Sequence, residues 1–279
     1  MDRAEICVEL QALARERADY LGFRIKNENG LRAKVASTLG YETDLDETAR
    51  RRLFDEADKL IAQISKGSVD GPVAPLVRVV LPCIESFDRM AKNLEKETRR
   101  LAERLPVADW VEDEEQRGFG PLLLGQLIGE TGDLANYPSP GKVWKRMGCA
   151  PFEKDGKNLM PSTWRSGREG KLDSADWQAI GYSPRRRSIA YLIGDCLQKG
   201  NKGGPYRRRF DEAKAAIAVE HPDYKPMRCH LHGMLLASKL LMRNLWDEWT
   251  RPSREGTPES DMVRAAVGSI SSETLTATL

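Results

Sequence analysis

The run Gly118-Phe119-Gly120-Pro121, followed by Leu122-Leu123-Leu124-Gly125-Gln126-Leu127-Ile128-Gly129-Glu130-Thr131-Gly132, leaves this chain few choices. A Gly-apolar-Gly turn permits a tight bend and close backbone approach. Pro121 suits the first position of a helix, and the apolar run behind it has helical length. This is the sequence form of a helix-hairpin-helix, in which free backbone N–H groups at the helix start bind a phosphate oxygen. The same residues also suit an ordinary loop that caps a core helix.

Charge sharpens the first reading. The net charge of the 279 residues is only +2, but residues 117–210 carry 17 Lys/Arg against 8 Asp/Glu. Residues 1–116 carry 19 against 24, and residues 211–279 carry 8 against 10. A basic middle between acidic flanks is the pattern of a localised polyanion site, or of a solvated basic surface. The 40% hydrophobic content supports a real core, and the 31% charged content suits a soluble, helix-rich chain. No apolar run approaches the roughly 20 residues of a membrane span. The start, MDRAEICVEL, lacks a signal-peptide core, so a cytoplasmic location and no membrane contact are expected. The scattered Cys7, Cys83, Cys149, Cys196 and Cys229 read as reduced and mostly buried.

Periodicity points to an all-α fold in three parts: a helical and coiled-coil region over 1–116, a nucleic-acid-binding region over 117–250, and a flexible tail over 251–279. Residues 2–21 and 23–39 read as two helices interrupted by Gly22, and residues 45–64 as a third, with Asp44 or Asp46 at its start. Residues 76–105 read as one long helix with a kink at Pro82. Its Ile84, Phe87, Met90, Leu94, Leu101 and Leu105 have the spacing of a coiled coil or antiparallel pair. A homodimer through this helix is expected, with packing inside the chain as the alternative. An acidic connector covers 106–116.

The candidate contact residues follow. Ser139 and Pro140 open a short helix carrying Lys142, Lys145 and Arg146. Residues 152–181 read as a long basic loop holding a short hairpin, with Arg165 and Arg168. Ser183 and Pro184 open a helix that begins with Arg185, Arg186 and Arg187, a strong local anion site. Arg207, Arg208 and Arg209 open the next, and residues 229–250 form an apolar closing helix. The glycine bend and both arginine clusters are expected to converge on a sugar-phosphate strand, with DNA as the partner and structured RNA as the other polyanion of that shape. No cofactor is expected. His221, Cys229, His230 and His232 form the only thiol–imidazole cluster, but without paired CxxC spacing the histidines are read as surface or capping residues, and no metal is expected. No carboxylate is read as standing in an apolar run that would tune it.

In this order, GFGPLLLGQLIGETGDLANYPSPGKVWKRMGCAPF, GYSPRRRSIAYLIGDCL, PYRRRFDEAKA and HGMLLASKLLMRNLWDEW resemble the C-terminal domain of the DEDD-type, bridge-RNA-guided insertion-sequence transposases, the group that includes the pilin-gene inverting recombinase Piv. The preceding helices are similar to that family's linker and coiled coil. The family begins with a RuvC-like domain whose carboxylates hold two metal ions, and residues 1–60 lack its opening strand. The resemblance also implies a serine nucleophile in a Ser-Gly context, whose nearest counterpart is Ser166-Gly167, with Ser162 second. A serine needs an activating base or metal, so binding without autonomous strand transfer is the first expectation. A split or truncated recombinase using Ser166 is the second, and a helical assembly protein the third.

Overall fold

The computed structural model describes residues 1–154, 157–159 and 174–255. The chain is mostly helical, as its periodicity predicts. The helices are α1 (Arg3–Thr38), α2 (Glu47–Ser65), α3 (Ala74–Ala102), α4 (Ala108–Glu112), α5 (Pro121–Thr131), α6 (Pro140–Arg146), α7 (Ser174–Ile180), α8 (Pro184–Gly200), α9 (Pro205–Glu220) and α10 (Pro226–Glu255). A small antiparallel hairpin, β1 (Phe152–Lys154) and β2 (Lys157–Leu159), pairs Phe152 with Leu159 and Lys154 with Lys157. No helix among the described residues is long and apolar enough to cross a membrane.

Contacts divide the chain into two compact units, Glu9–Arg100, and Met1–Val8 together with the chain from Leu101 onward. The division thus falls ahead of the acidic connector, and the first residues join the second unit. Within the first unit, α1 and α3 run antiparallel. Arg17 bonds Glu95, Arg24 lies 3.5 Å from Asp88, and the Phe23 and Phe87 rings are 5.7 Å apart. Leu31, Val35, Ala57, Ile64, Val77 and Ile84 bury one core across α1, α2 and α3. The apolar stripe of α3 therefore has a partner inside the chain. Asp46 caps α2 by accepting from the Ala49 amide at 2.8 Å.

Four expectations change. Gly22 does not divide two helices. It lies exposed within the continuous α1, where a glycine weakens a helix without ending it when neighbouring turns are held. The acidic connector folds into α4 and a 3-10 turn over Glu114–Gln116. Part of the expected basic loop is the helix α7, and the expected tail is still α10 as far as Glu255.

The second unit is organised around α8, which packs against α5, α9 and α10. Its core holds Phe119, Leu124, Leu127, Ile128, Leu134, Met147, Ile193, Leu197, Tyr206 and Leu241, all nearly devoid of solvent contact. At Gly194 the backbones of α8 and α10 nearly touch. A Cβ there would lie 2.6 Å from the Met234 carbonyl oxygen and 2.7 Å from Ser238 Oγ. The buried Ser238 hydroxyl bridges both helices, 2.9 Å from the Ala190 carbonyl and 2.8 Å from that of Met234.

Two glycine-to-alanine changes should therefore have opposite signs. Gly194→Ala should destabilise by about 1–3 kcal/mol through overpacking. Gly22→Ala, with nothing within 4 Å of its new methyl, should stabilise by about 0.5–1 kcal/mol. Urea unfolding of the two variants checks both.

Candidate nucleic-acid interface

The glycine bend rests on the last turn of α8. Gly118 has φ +98, and a Cβ on it would lie 2.6 Å from the Cys196 carbonyl oxygen. A Cβ on Gly200 would lie 2.8 Å from Gly118 Cα. The close approach that glycine permits here is to the chain's own helix. Phe119, expected at the contact surface, is instead a core residue, 1% exposed, whose amide donates to the Gln116 carbonyl at 2.8 Å. Gly120 is a partly exposed, extended N-cap that gives α5 no side-chain acceptor. Thus α5 begins with backbone N–H groups that no cap side chain satisfies.

At the same end the start of α9 is closed. The buried Asn201 accepts from the Tyr206 and Arg207 amides at 3.2 and 3.4 Å and donates to the Glu115 carbonyl at 2.8 Å. Arg207 is held by the Gln198 carbonyl at 2.7 Å and Asp211 at 2.8 Å. Arg208 donates to the Gly203 carbonyl at 2.9 Å, and Arg209 lies 4.0 Å from Glu212. Acceptors of their own helix and loop neighbour all three arginines.

The other end of α8 differs. Because α5 runs antiparallel to α8, its last turn brings Glu130 to the first turn of α8. Glu130 is 4% exposed. Its Oε1 lies 2.5 Å from Arg185 Nε and its Oε2 lies 3.4 Å from Arg186 Nε. Arg146 Nε, from α6, donates to the Glu130 carbonyl at 3.2 Å. Ser183 caps α8, its hydroxyl 3.5 Å from the Arg186 amide. Ser139 stands at the matching position before α6, but its side chain makes no cap bond.

Beside this cluster, Arg187 Nη1 reaches Cys149 Sγ at 3.3 Å. Burial pushes the Cys149 thiol up, and Arg187 only partly opposes it. Lys239 is held below the usual lysine range, first by burial and also by Arg187. Its ammonium lies 5.2 Å from the Trp144 ring, whose Nε1 donates to the Lys239 carbonyl at 3.0 Å. Arg186 is also pushed down, by burial first and then by Arg146. Lys142 and Lys145 are exposed on α6, and Lys142 shares the face of Arg146 one turn away. The Trp177 and Tyr182 rings, 5.1 Å apart, flank the entry to α8, with Tyr182 against Gly148.

The expected convergence is therefore not found. Arg146 and Arg185–Arg187 gather at one end of α8, with Lys142 and Lys145 on the adjoining α6. Gly118, Phe119, Gly120 and Arg207–Arg209 belong to the other end, about 18 Å away along α8, at 1.5 Å of rise per residue from Arg186 to Gln198. Ser166, Arg165, Arg168 and Ser162 lie outside the described residues.

Glu130, Asn201 and Lys239 escaped the sequence reading. Glu130 is a correction, for it does stand in an apolar run. The lone carboxylate ending LLLGQLIGE was the available signal, because a charge among helix positions that must be buried needs a cation. Asn201 resembles any loop asparagine. His221 stacks on Tyr224 at 4.4 Å, His230 meets Phe210 edge-on at 5.1 Å, and Cys229 is buried. Among the described residues no His/Cys/Asp/Glu group is arranged to hold a metal.

The cysteines give a direct check on this packing. Burial, with Asp133 beside it, pushes the Cys7 thiol up to about 12, and Cys149 is shifted in the same direction. Raised values leave little thiolate at pH 8. Iodoacetamide at that pH should label the exposed Cys83 first and spare Cys7 and Cys149 until denaturant is added, as read by mass spectrometry. No family model, curated protein or solved structure matches this chain.

Proposed function

We propose that this protein binds nucleic acid, DNA first, by the phosphate backbone. The contact surface is the face built from α6 and the first turn of α8. The carrying observation is an excess of cations among the described residues: Arg185 and Arg186 flank the Glu130 carboxylate, Arg146 donates to the Glu130 main-chain carbonyl, and Arg187 and Lys239 stand beside this cluster. Like charges drawn together and partly desolvated are unfavourable unless an anion completes the site. The exposed Lys142 and Lys145 extend the same charge outward, and the uncapped start of α5 offers a weaker second contact.

Such contacts position a duplex without reading its bases, so selectivity is low on this face. In this reading the second unit is related to the C-terminal domains of insertion-sequence transposases, on the strength of the ordered sequence runs. It grips DNA without strand transfer of its own. The exposed Val79, Met90 and Phe23 of the first unit support self-association along α1 and α3.

A gel shift with mixed-sequence duplexes tests the reading. Affinity should fall roughly tenfold or more between 100 and 200 mM salt, since each neutralised phosphate releases counterion. Charge reversal of the exposed pair, Lys142→Glu with Lys145→Glu, should weaken binding at least tenfold for all sequences alike. Arg208→Glu with Arg209→Glu should do much less. Salt-insensitive binding, or a larger loss at the Arg208 end, would reject the proposed face.

A further inference from the structure

We infer that Glu130 is the positioning centre of a single-phosphate seat: its buried carboxylate fixes Arg185 and Arg186, and the spare guanidinium edges of Arg186 and Arg146 hold one phosphate oxygen pair. This rests on the nucleic-acid reading above and names where that surface grips one backbone phosphate.

Glu130 occupies the last turn of α5, where the helix end already carries partial negative charge. An unpaired carboxylate buried there would be costly, and cations are the natural compensation. One cation suffices for charge, yet three guanidiniums converge. Arg185 takes Oε1 at 2.5 Å, Arg186 stands 3.4 Å from Oε2, and Arg146 takes the main-chain oxygen at 3.2 Å. Among the described residues the cluster is overcompensated by two positive charges.

Hydrogen-bonding capacity points the same way. A guanidinium has five N–H donors in a fixed plane. Arg186 Nε is buried, lies 3.4 Å from Oε2 and makes no hydrogen bond among the described residues. Its Nη1 has one partner among the described residues, the Gly181 carbonyl at 3.4 Å. Arg146 uses Nε alone among the described residues. Tyr137, close to both arginines, has its phenol proton committed to the Thr131 carbonyl at 2.8 Å. The unmet capacity is therefore cationic and planar, which fits bidentate binding of phosphate oxygens. The neighbouring Arg187, Lys142 and Lys145 favour a polyphosphate chain over a lone carboxylate.

Positioning and simple charge make opposite predictions for Glu130→Gln. Removing a negative charge beside an anion seat should tighten binding if charge alone matters. Losing the group that orients two arginines should loosen it. The 279-residue chain is titrated with a fluorescent mixed-sequence 20-base-pair duplex at 100 mM salt, with inorganic pyrophosphate and an aspartate-rich peptide as competitors. Melting curves are recorded in parallel. Glu130→Gln should weaken duplex binding about tenfold. Arg146→Gln should also weaken it about tenfold and lower the salt slope by about one. In the Glu130→Gln background, Arg146→Gln should cost less than about threefold, because groups sharing one seat are not additive. A general structural defect would leave the two effects additive.

Duplex affinity equal to or above the native value in Glu130→Gln would overturn the positioning role while leaving nucleic-acid binding intact. Failure of the native chain to bind the duplex would instead sink the functional reading itself. If Glu130→Gln melts too early to be assayed, the pair Arg146→Gln and Arg186→Gln decides, with additive losses overturning the shared seat. Competition by the acidic peptide as strong as by pyrophosphate would overturn the phosphate assignment.

Discussion

Everything in the second unit depends on how closely α8 lies against its neighbours. Backbone meets backbone at two places: Gly194 against the Met234 carbonyl, and Gly118 with Gly200 at the last turn of α8. Side chains cannot intervene there, so the helices have little freedom to slide. With α5 antiparallel to α8, one bend on Cys196 and Leu197 dictates what meets at the far end. Glu130 must arrive at Arg185 and Arg186. The glycines thus act at a distance, by setting the register that assembles the charged cluster. Their role is packing, and the positive φ of Gly118 adds a second reason why no other residue fits easily.

The two arginine triplets look alike in sequence but have different fates. Arg207 sits one turn before Asp211, and Arg209 three residues before Glu212, so helical spacing supplies carboxylates locally. Exposed pairs of this kind contribute little to stability, but they lower the local field that a phosphate would meet. Arg185–Arg187 have no acidic residue within one turn on α8; the first is Asp195, which pairs with Lys199. Among the described residues, the carboxylate beside Arg185 and Arg186 comes from α5, is single, and is shared. The difference in available charge is thus decided by the residues that follow each triplet.

Much of the fold was legible because it is helical, and helices announce themselves through period and punctuation. Pro121, Pro140 and Pro184 each open the helix assigned to them, Ser183 caps as read, and of Asp44 and Asp46 it is Asp46 that caps α2. What failed was any inference from a residue whose meaning depends on distant chain. Gly22 punctuates on paper, but in the structure α3 runs alongside α1 there and Phe23 packs on Phe87. Phe119 looked like a hairpin tip because a Gly-apolar-Gly triplet does not say which way the apolar ring turns. Asn201 could not be distinguished from a solvated loop residue until its three partners, in two separate segments, were in place.

Glu130 shows why the cluster bears on function and not only on stability. A buried ion pair rarely stabilises more than an apolar pair of similar volume, because desolvation offsets most of the Coulomb gain. Stability alone would be served by a leucine at position 130 with apolar residues at 185 and 186, continuing the run from Leu122. Instead the chain buries a carboxylate, gathers around it, among the described residues, more cations than neutrality requires, and leaves Arg186 Nε without a hydrogen bond there. Each of these choices costs free energy in the isolated protein. They are reconciled if the arginines must be held in one orientation while keeping donors to spare, which is the requirement of an anion site and not of a core.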